Sequence, residues 1–136
     1  MQAFLLLCDF AQVSQGKLYI TGGGWNIHRR PGQMLIGLAV KLTADWNDAN
    51  RPLDMVILLV NEDGVPVAQG DKPLEIKGKV EFGRPAGIPP ASQLVAVAGF
   101  NVGIALAPGG YRWELLINGE QLAVESFTVV QPHQMT

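Results

Sequence analysis

The segment Pro108–Val130, P-G-G-Y-R-W-E-L-L-I-N-G-E-Q-L-A-V-E-S-F-T-V-V, constrains the fold more than any other part of the chain. Pro108-Gly109-Gly110 interrupts whatever precedes it. From there Tyr111, Trp113, Leu115 and Ile117 share one face, while Arg112, Glu114, Leu116 and Asn118 share the other. That period-two alternation belongs to a half-buried strand. Asn118-Gly119 supplies the two residues that accept positive φ in a tight type I′ turn. A return strand runs from Gln121 to Val130, with Phe127 and Val129 on one face and Thr128 and Val130 on the other. A helix is a poor alternative: large side chains at spacing two would scatter around it, and the glycine pairs would weaken it.

The rest of the chain repeats this pattern. Ala3–Val13 reads as a first strand, with Phe4, Leu6, Cys8 and Phe10 on its buried face, and Lys17–Thr21 as its return after a Ser14-Gln15-Gly16 turn. Gly22-Gly23-Gly24-Trp25 is an adaptable loop or bulge. Asn26–Gln33 is a loop that holds His28-Arg29-Arg30, the only basic cluster. Met34–Thr43 is a strand with Ile36, Leu38, Val40 and Leu42 aligned, and Ala44–Pro52 a polar connection around Trp46. Leu53–Asn61 is apolar on both faces, which puts it at the centre of a layered core or against another subunit. After Glu62-Asp63-Gly64, Val65–Gln69 is a short return strand; Asp71–Phe82, with Lys72, Lys77 and Lys79, suits an exposed edge. Gly83–Ala91 is too rich in proline and glycine to lie inside a sheet and reads as a rigid crossover. Leu94–Leu106 is a long strand in which Gly99 or Gly103 marks a bulge.

Eight or nine strands with no convincing helix predict an all-β chain. The natural packing is an antiparallel Greek-key β-sandwich of immunoglobulin-like type, with a closed β-barrel as the alternative. Residues 1–130 form a single domain and 131–136 a short tail. At 136 residues, 48% hydrophobic and 16% charged, the chain can bury a core and is not disordered.

The totals also narrow function. A net charge of −2 argues against a nucleic-acid partner, which needs a basic face. No run approaches the ~20 apolar residues of a membrane span. Ala3–Cys8 lacks a preceding Lys or Arg and is stopped by Asp9, so it is not a secretory signal, and a cytoplasmic location is expected.

Candidate chemistry is sparse. The single Cys8 cannot form an internal disulfide; on a strand it shares a face with apolar neighbours, where a thiol is inert. The glycine run lacks both the phosphate-cradling pattern and a following helix. His28 and His133 stand in no zinc-ligand spacing, and Glu62-Asp63-Gly64 lacks the spaced carboxylates of a calcium loop. No catalytic, metal or cofactor residues are therefore expected, and the chain reads as not an enzyme. Trp25, His28 and Arg30 in one loop, and Trp46 and Arg51 in another, are the expected ligand or partner contacts, because Trp and Arg are enriched at binding surfaces. The alternative is that each Trp caps one end of the core.

Several pieces taken together resemble a known family. They are Leu7-Cys8-Asp9-Phe10-Ala11, Gly16-Lys17-Leu18-Tyr19-Ile20 with Gly22-Gly23-Gly24-Trp25, Asn50-Arg51-Pro52, Glu62-Asp63-Gly64, the segment from Gly83 to Pro90, and the closing P-G-G-Y-R-W-E. The family is one of uncharacterised bacterial proteins of about this length. The resemblance implies one small domain standing alone, with no reaction, ligand or partner to transfer. Surplus apolar residues on second faces (Val56, Leu58, Val60, Val95, Val97, Ala105) favour a binding or assembly module, expected to be a homo-oligomer or to bind a protein partner. A small-molecule or carbohydrate-binding domain is the second expectation, and it requires the two Trp loops to converge.

Overall fold

The structure, a computed structural model, describes residues 1–29 and 31–131. Arg30 and the tail from 132 onward, including His133, lie outside the described residues. Among those described, the strands are β1 (Gln2–Ser14), β2 (Lys17–Gly23), β3 (Ile27–His28), β4 (Gly32–Ala44), β5 (Leu53–Asn61), β6 (Ala68–Gln69), β7 (Lys72–Pro73), β8 (Glu75–Val80), β9 (Leu94–Leu106), β10 (Gly109–Ile117) and β11 (Glu120–Val129). Sheet A has the order β2-β1-β4-β9 and sheet B the order β3-β11-β10-β5-β8; β6 and β7 form a small separate ribbon. The short return strand expected at Val65–Gln69 is the two-residue β6, the edge strand expected over Asp71–Phe82 divides into β7 and β8, and the two-residue β3 is a strand where a loop was expected. Both large sheets keep two unclosed edges, so the fold is a sandwich and not a barrel. No helix among the described residues is long and apolar enough to cross a membrane.

The closing hairpin is the backbone of sheet B. Asn118 and Gly119 both take positive φ, 49° and 81°, as the two-residue turn requires. The turn is also clasped to the start of β5: Asp54 N donates to Asn118 Oδ1 at 2.9 Å, and Asn118 N to Asp54 O at 2.8 Å. Trp113, Leu115 and Ile117 are buried and Tyr111 is half-buried, as the alternation predicts. They meet the inward rows of sheet A, including Ile36, Leu38 and Val40, in one core that spans both sheets. At the corner where the chain leaves sheet A for sheet B, the Tyr111 hydroxyl donates to Ala107 O at 2.7 Å, four residues upstream. The tyrosine corner of Greek-key sandwiches has this form. The Pro/Gly segment is the crossover from β8 to β9, and Ile88 anchors it against the core.

Two expectations change. In β1 it is Leu5 and Leu7 that enter the main core, while Phe4 and Phe10 are exposed. The strand is apolar on both faces from Ala3 to Cys8, so periodicity alone could not say which row meets the other sheet. In β9, neither Gly99 nor Gly103 is a bulge: β4 and β9 pair without a break over thirteen residues.

The glycine at 99 has a different purpose. From Gln2 to Cys8, β1 lies beside β4; past Gly37, their pairing ends. β1 then bends over the outer face of sheet A, with its return strand β2. A Cβ on Gly37 would lie 2.8 Å from Cys8 Sγ and 3.0 Å from Phe10 N; one on Gly99 would lie 3.2 Å from Ala11 C and O. Only strands without side chains at these two points let another strand pass over them. Asn101, also on β9, clasps the crossing strand: Ala11 N donates to its Oδ1 at 3.0 Å, and its Nδ2 donates to Ala11 O at 2.8 Å. Under the crossing, Cys8, Ala11 and Ala39 form a second small core with Leu6 and Leu18.

Candidate functional site

The predicted contact residues divide between the two ends of the sandwich. At one end, Gly22 and Gly24 take positive φ, and Gly24 N donates to Leu7 O at 2.8 Å, which turns Trp25 inward. The Trp25 ring is half-buried. It meets His28 edge-on at 5.6 Å and Phe127 at 6.1 Å, and Phe127 stacks on Tyr111 at 5.6 Å. Residues 26–29 are not wholly a loop. β3 adds to β11 in parallel, with Thr128 N donating to Asn26 O and Val130 N to His28 O. Asp9, Trp25, Ile27, His28 and Arg29 line a shallow cleft of about 520 Å³. It combines a carboxylate, a guanidinium, an imidazole and an aromatic edge.

At the other end, Trp46 opens a single 3₁₀ turn, Trp46–Asp48. The Arg84 guanidinium lies 4.6 Å from the centre of its ring, and Arg84 Nε and Nη2 donate to Trp46 O at 3.1 and 2.6 Å. Arg51 is paired with Asp48 at 2.6 Å. Here the indole caps the core and is itself capped, and both arginines are engaged in holding the loop. In the sequence, Arg84 reads only as part of the crossover. A cation–π lid supplied from 38 residues away leaves no local pattern.

The two ends do not converge. Trp25 packs on Phe127, which pairs through Tyr111 with Asn61 at the end of β5; Trp46 lies just before Leu53, where β5 begins. Along the strand that is roughly 25 Å at ~3.3 Å per residue. Trp25 and His28 share one site, Trp46 and Arg51 another, and no single small ligand can span both.

A family model matches residues 3–130 of the 136-residue chain, from the first core strand to the residue after β11. The chain belongs to DUF6941, a family of unknown function. No curated protein matches it.

In this DUF6941 sandwich, the groups with the most chemical potential are enclosed. Burial pushes the Cys8 thiol above its ordinary range; the Phe10 N–H opposes this in part, and the Asp9 carboxylate adds to it. Burial also raises the Tyr111 phenol, with a further push from Glu62. Glu62-Asp63-Gly64 is a turn closed by Asn61, whose Oδ1 accepts from Asp63 N and Val65 N. Among the described residues, no three His, Cys, Asp or Glu side chains come together.

The outer faces of the sheets differ. On sheet B, Val56, Leu58 and Leu116 are half-buried, and the ion pairs Lys77–Glu75 and Arg112–Glu114 run beside them. On sheet A, the crossing hairpin covers only the middle. On either side of it, Phe4 (53% exposed), Val95 (55%) and Leu35 (52%) face solvent; the hairpin itself exposes Phe10, Val13, Tyr19 and Ile20. Most of the exposed large apolar side chains of the molecule therefore lie on sheet A and its hairpin.

Proposed function

We propose that the chain is a non-catalytic assembly module, a β-sandwich that self-associates through sheet A. The observation that carries this reading is the concentration of exposed apolar side chains at Phe4, Leu35 and Val95, beside the equally apolar outside of the hairpin. Exposed apolar side chains concentrated on one sheet of a chain with an otherwise complete core mark an interaction surface. The non-catalytic part is supported by the fate of Cys8, the strongest nucleophile in the sequence: it sits beneath the hairpin with its thiol pushed away from the reactive form.

Static light scattering over a micromolar concentration series tests the reading. The expected mass is about twice the 14.6 kDa of one chain. Val95→Ser with Val97→Ser, both on the outer side of β9, should lower it toward the single-chain value without loss of the native far-UV spectrum. A wild-type protein that keeps the mass of one chain throughout would contradict the proposal.

A further inference from the structure

The edges of the two sheets are protected unequally. β8 carries Glu75, Lys77 and Lys79; β3 is two residues long; β2 has seven residues and carries Lys17. Charges and short lengths of this sort keep an edge from pairing with another chain. β9 has neither. It runs for thirteen residues, Leu94–Leu106, without a charged residue, a proline or a bulge, and among the described residues β4 is its only neighbour in the sheet. Its inward row is also incompletely closed: Ala96, Ala98, Phe100 and Val102 are half-buried, whereas the facing row of β4 is buried throughout.

We infer that β9 is the contact strand, pairing antiparallel with β9 of a second copy about a two-fold axis at Phe100, so that two A sheets become one continuous eight-stranded sheet. The inference rests on the self-association proposed above and names its surface. An unprotected edge presents a row of unpaired backbone donors and acceptors that another strand can pair directly. The strand suits its own copy. About Phe100, Ala96 faces Ile104, Ala98 faces Val102, and on the outer side Val97 faces Gly103, with Phe100 against its own copy on the axis and Leu94 against Leu106 at the ends. A charge anywhere near such an axis would meet itself, and β9 has none.

This register gives a charge-exchange test. V97K/G103K places lysine directly opposite lysine at both ends of the contact, and V97E/G103E does the same with glutamate. Gly103 has room for a side chain: a Cβ there would come no closer than 3.7 Å to Gln33 Nε2. Near the wild-type dissociation midpoint, each variant alone should be a monomer by sedimentation, its dimer weakened about tenfold or more by opposed like charges and lost packing. An equimolar mixture should recover the dimer, since lysine now faces glutamate; recovery also shows that both variants are folded. If one double variant fails to fold, Gly103→Lys and Gly103→Glu, each facing an unchanged Val97 across the two-fold, should weaken the dimer alone and together alike. Dimers that persist in the Lys/Lys and Glu/Glu variants would overturn the β9 contact but leave self-association standing. A wild-type monomer would overturn both.

Discussion

Trp113→Ala is expected to lower the unfolding free energy by about 3–5 kcal/mol, the usual range for removing a large aromatic from a core. Trp113 is fully buried on β10 at the middle of sheet B, paired with Leu59 of β5 on one side and Glu125 of β11 on the other. Neither neighbouring strand can move in to fill the gap without breaking its own ladder. Set against a total of about 5–15 kcal/mol for a domain, the loss leaves the fold marginal. Trp113→Phe separates the two contributions. Trp113 Nε1 is buried with no hydrogen-bond partner among the described residues, and such a group costs about 1–3 kcal/mol. Removing the N–H together with part of the ring should therefore cost well under half of the alanine value. Urea titration followed by far-UV circular dichroism measures both; an alanine variant within 1 kcal/mol of the parent would mean that the hairpin does not anchor the core.

The second large effect belongs to Gly37. Gly37→Val should detach the β1–β2 hairpin from sheet A, because the new Cβ would meet Cys8 Sγ at 2.8 Å and the backbone at Phe10 N and Cys8 O at 3.0 and 3.1 Å. Backbone cannot swing aside as a side chain can, so the strain of about 1–3 kcal/mol is relieved by lifting the strand. Cys8 reports the event. In the parent it is buried with its thiol held above the ordinary range, so a disulfide reagent at neutral pH should react slowly. In Gly37→Val the rate should rise about tenfold or more, matching an opening made easier by roughly 1.4 kcal/mol. Gly103→Ala, on the same sheet, where the new Cβ would meet only Gln33 Nε2 at 3.7 Å, should leave the rate unchanged. Equal, slow labelling in parent and Gly37→Val would show that β1 does not cross at this point.

These two sites mark where sequence reasoning succeeds and where it stops. The hairpin around Trp113 is legible because it is a local object: alternation, a turn dipeptide and a return strand are all present within Pro108–Val130. The crossing at Gly37 is not, because it depends on three strands distant in sequence. Gly37, Gly99 and Asn101 look unremarkable one at a time; only the register that sets Gly37 beside Asn101 and Ala39 beside Gly99 makes them a platform with a clasp. β1 shows the same limit. Both of its faces are apolar, one for the sandwich core and the other for the small core under the hairpin, so a period of two could not choose between Leu5 and Phe4. Trp25 and Trp46 sit in connections, as their surroundings in sequence imply, but their partners Phe127 and Arg84 come from far along the chain, and which end each loop occupies follows from strand order. Surplus apolar surface was legible in kind. Its concentration on sheet A, and the uncharged edge at β9, required the sheets themselves.

Residue-resolved amide hydrogen exchange at two protein concentrations, one well below and one well above the association midpoint, tests self-association through sheet A most directly. Exchange reports where association closes backbone groups that are otherwise open to water. The expected result is protection in Leu94–Leu106 that appears only at the higher concentration, with sheet B unchanged. Protection that is the same at both concentrations, or that changes at Trp25–His28 instead of along β9, would contradict it.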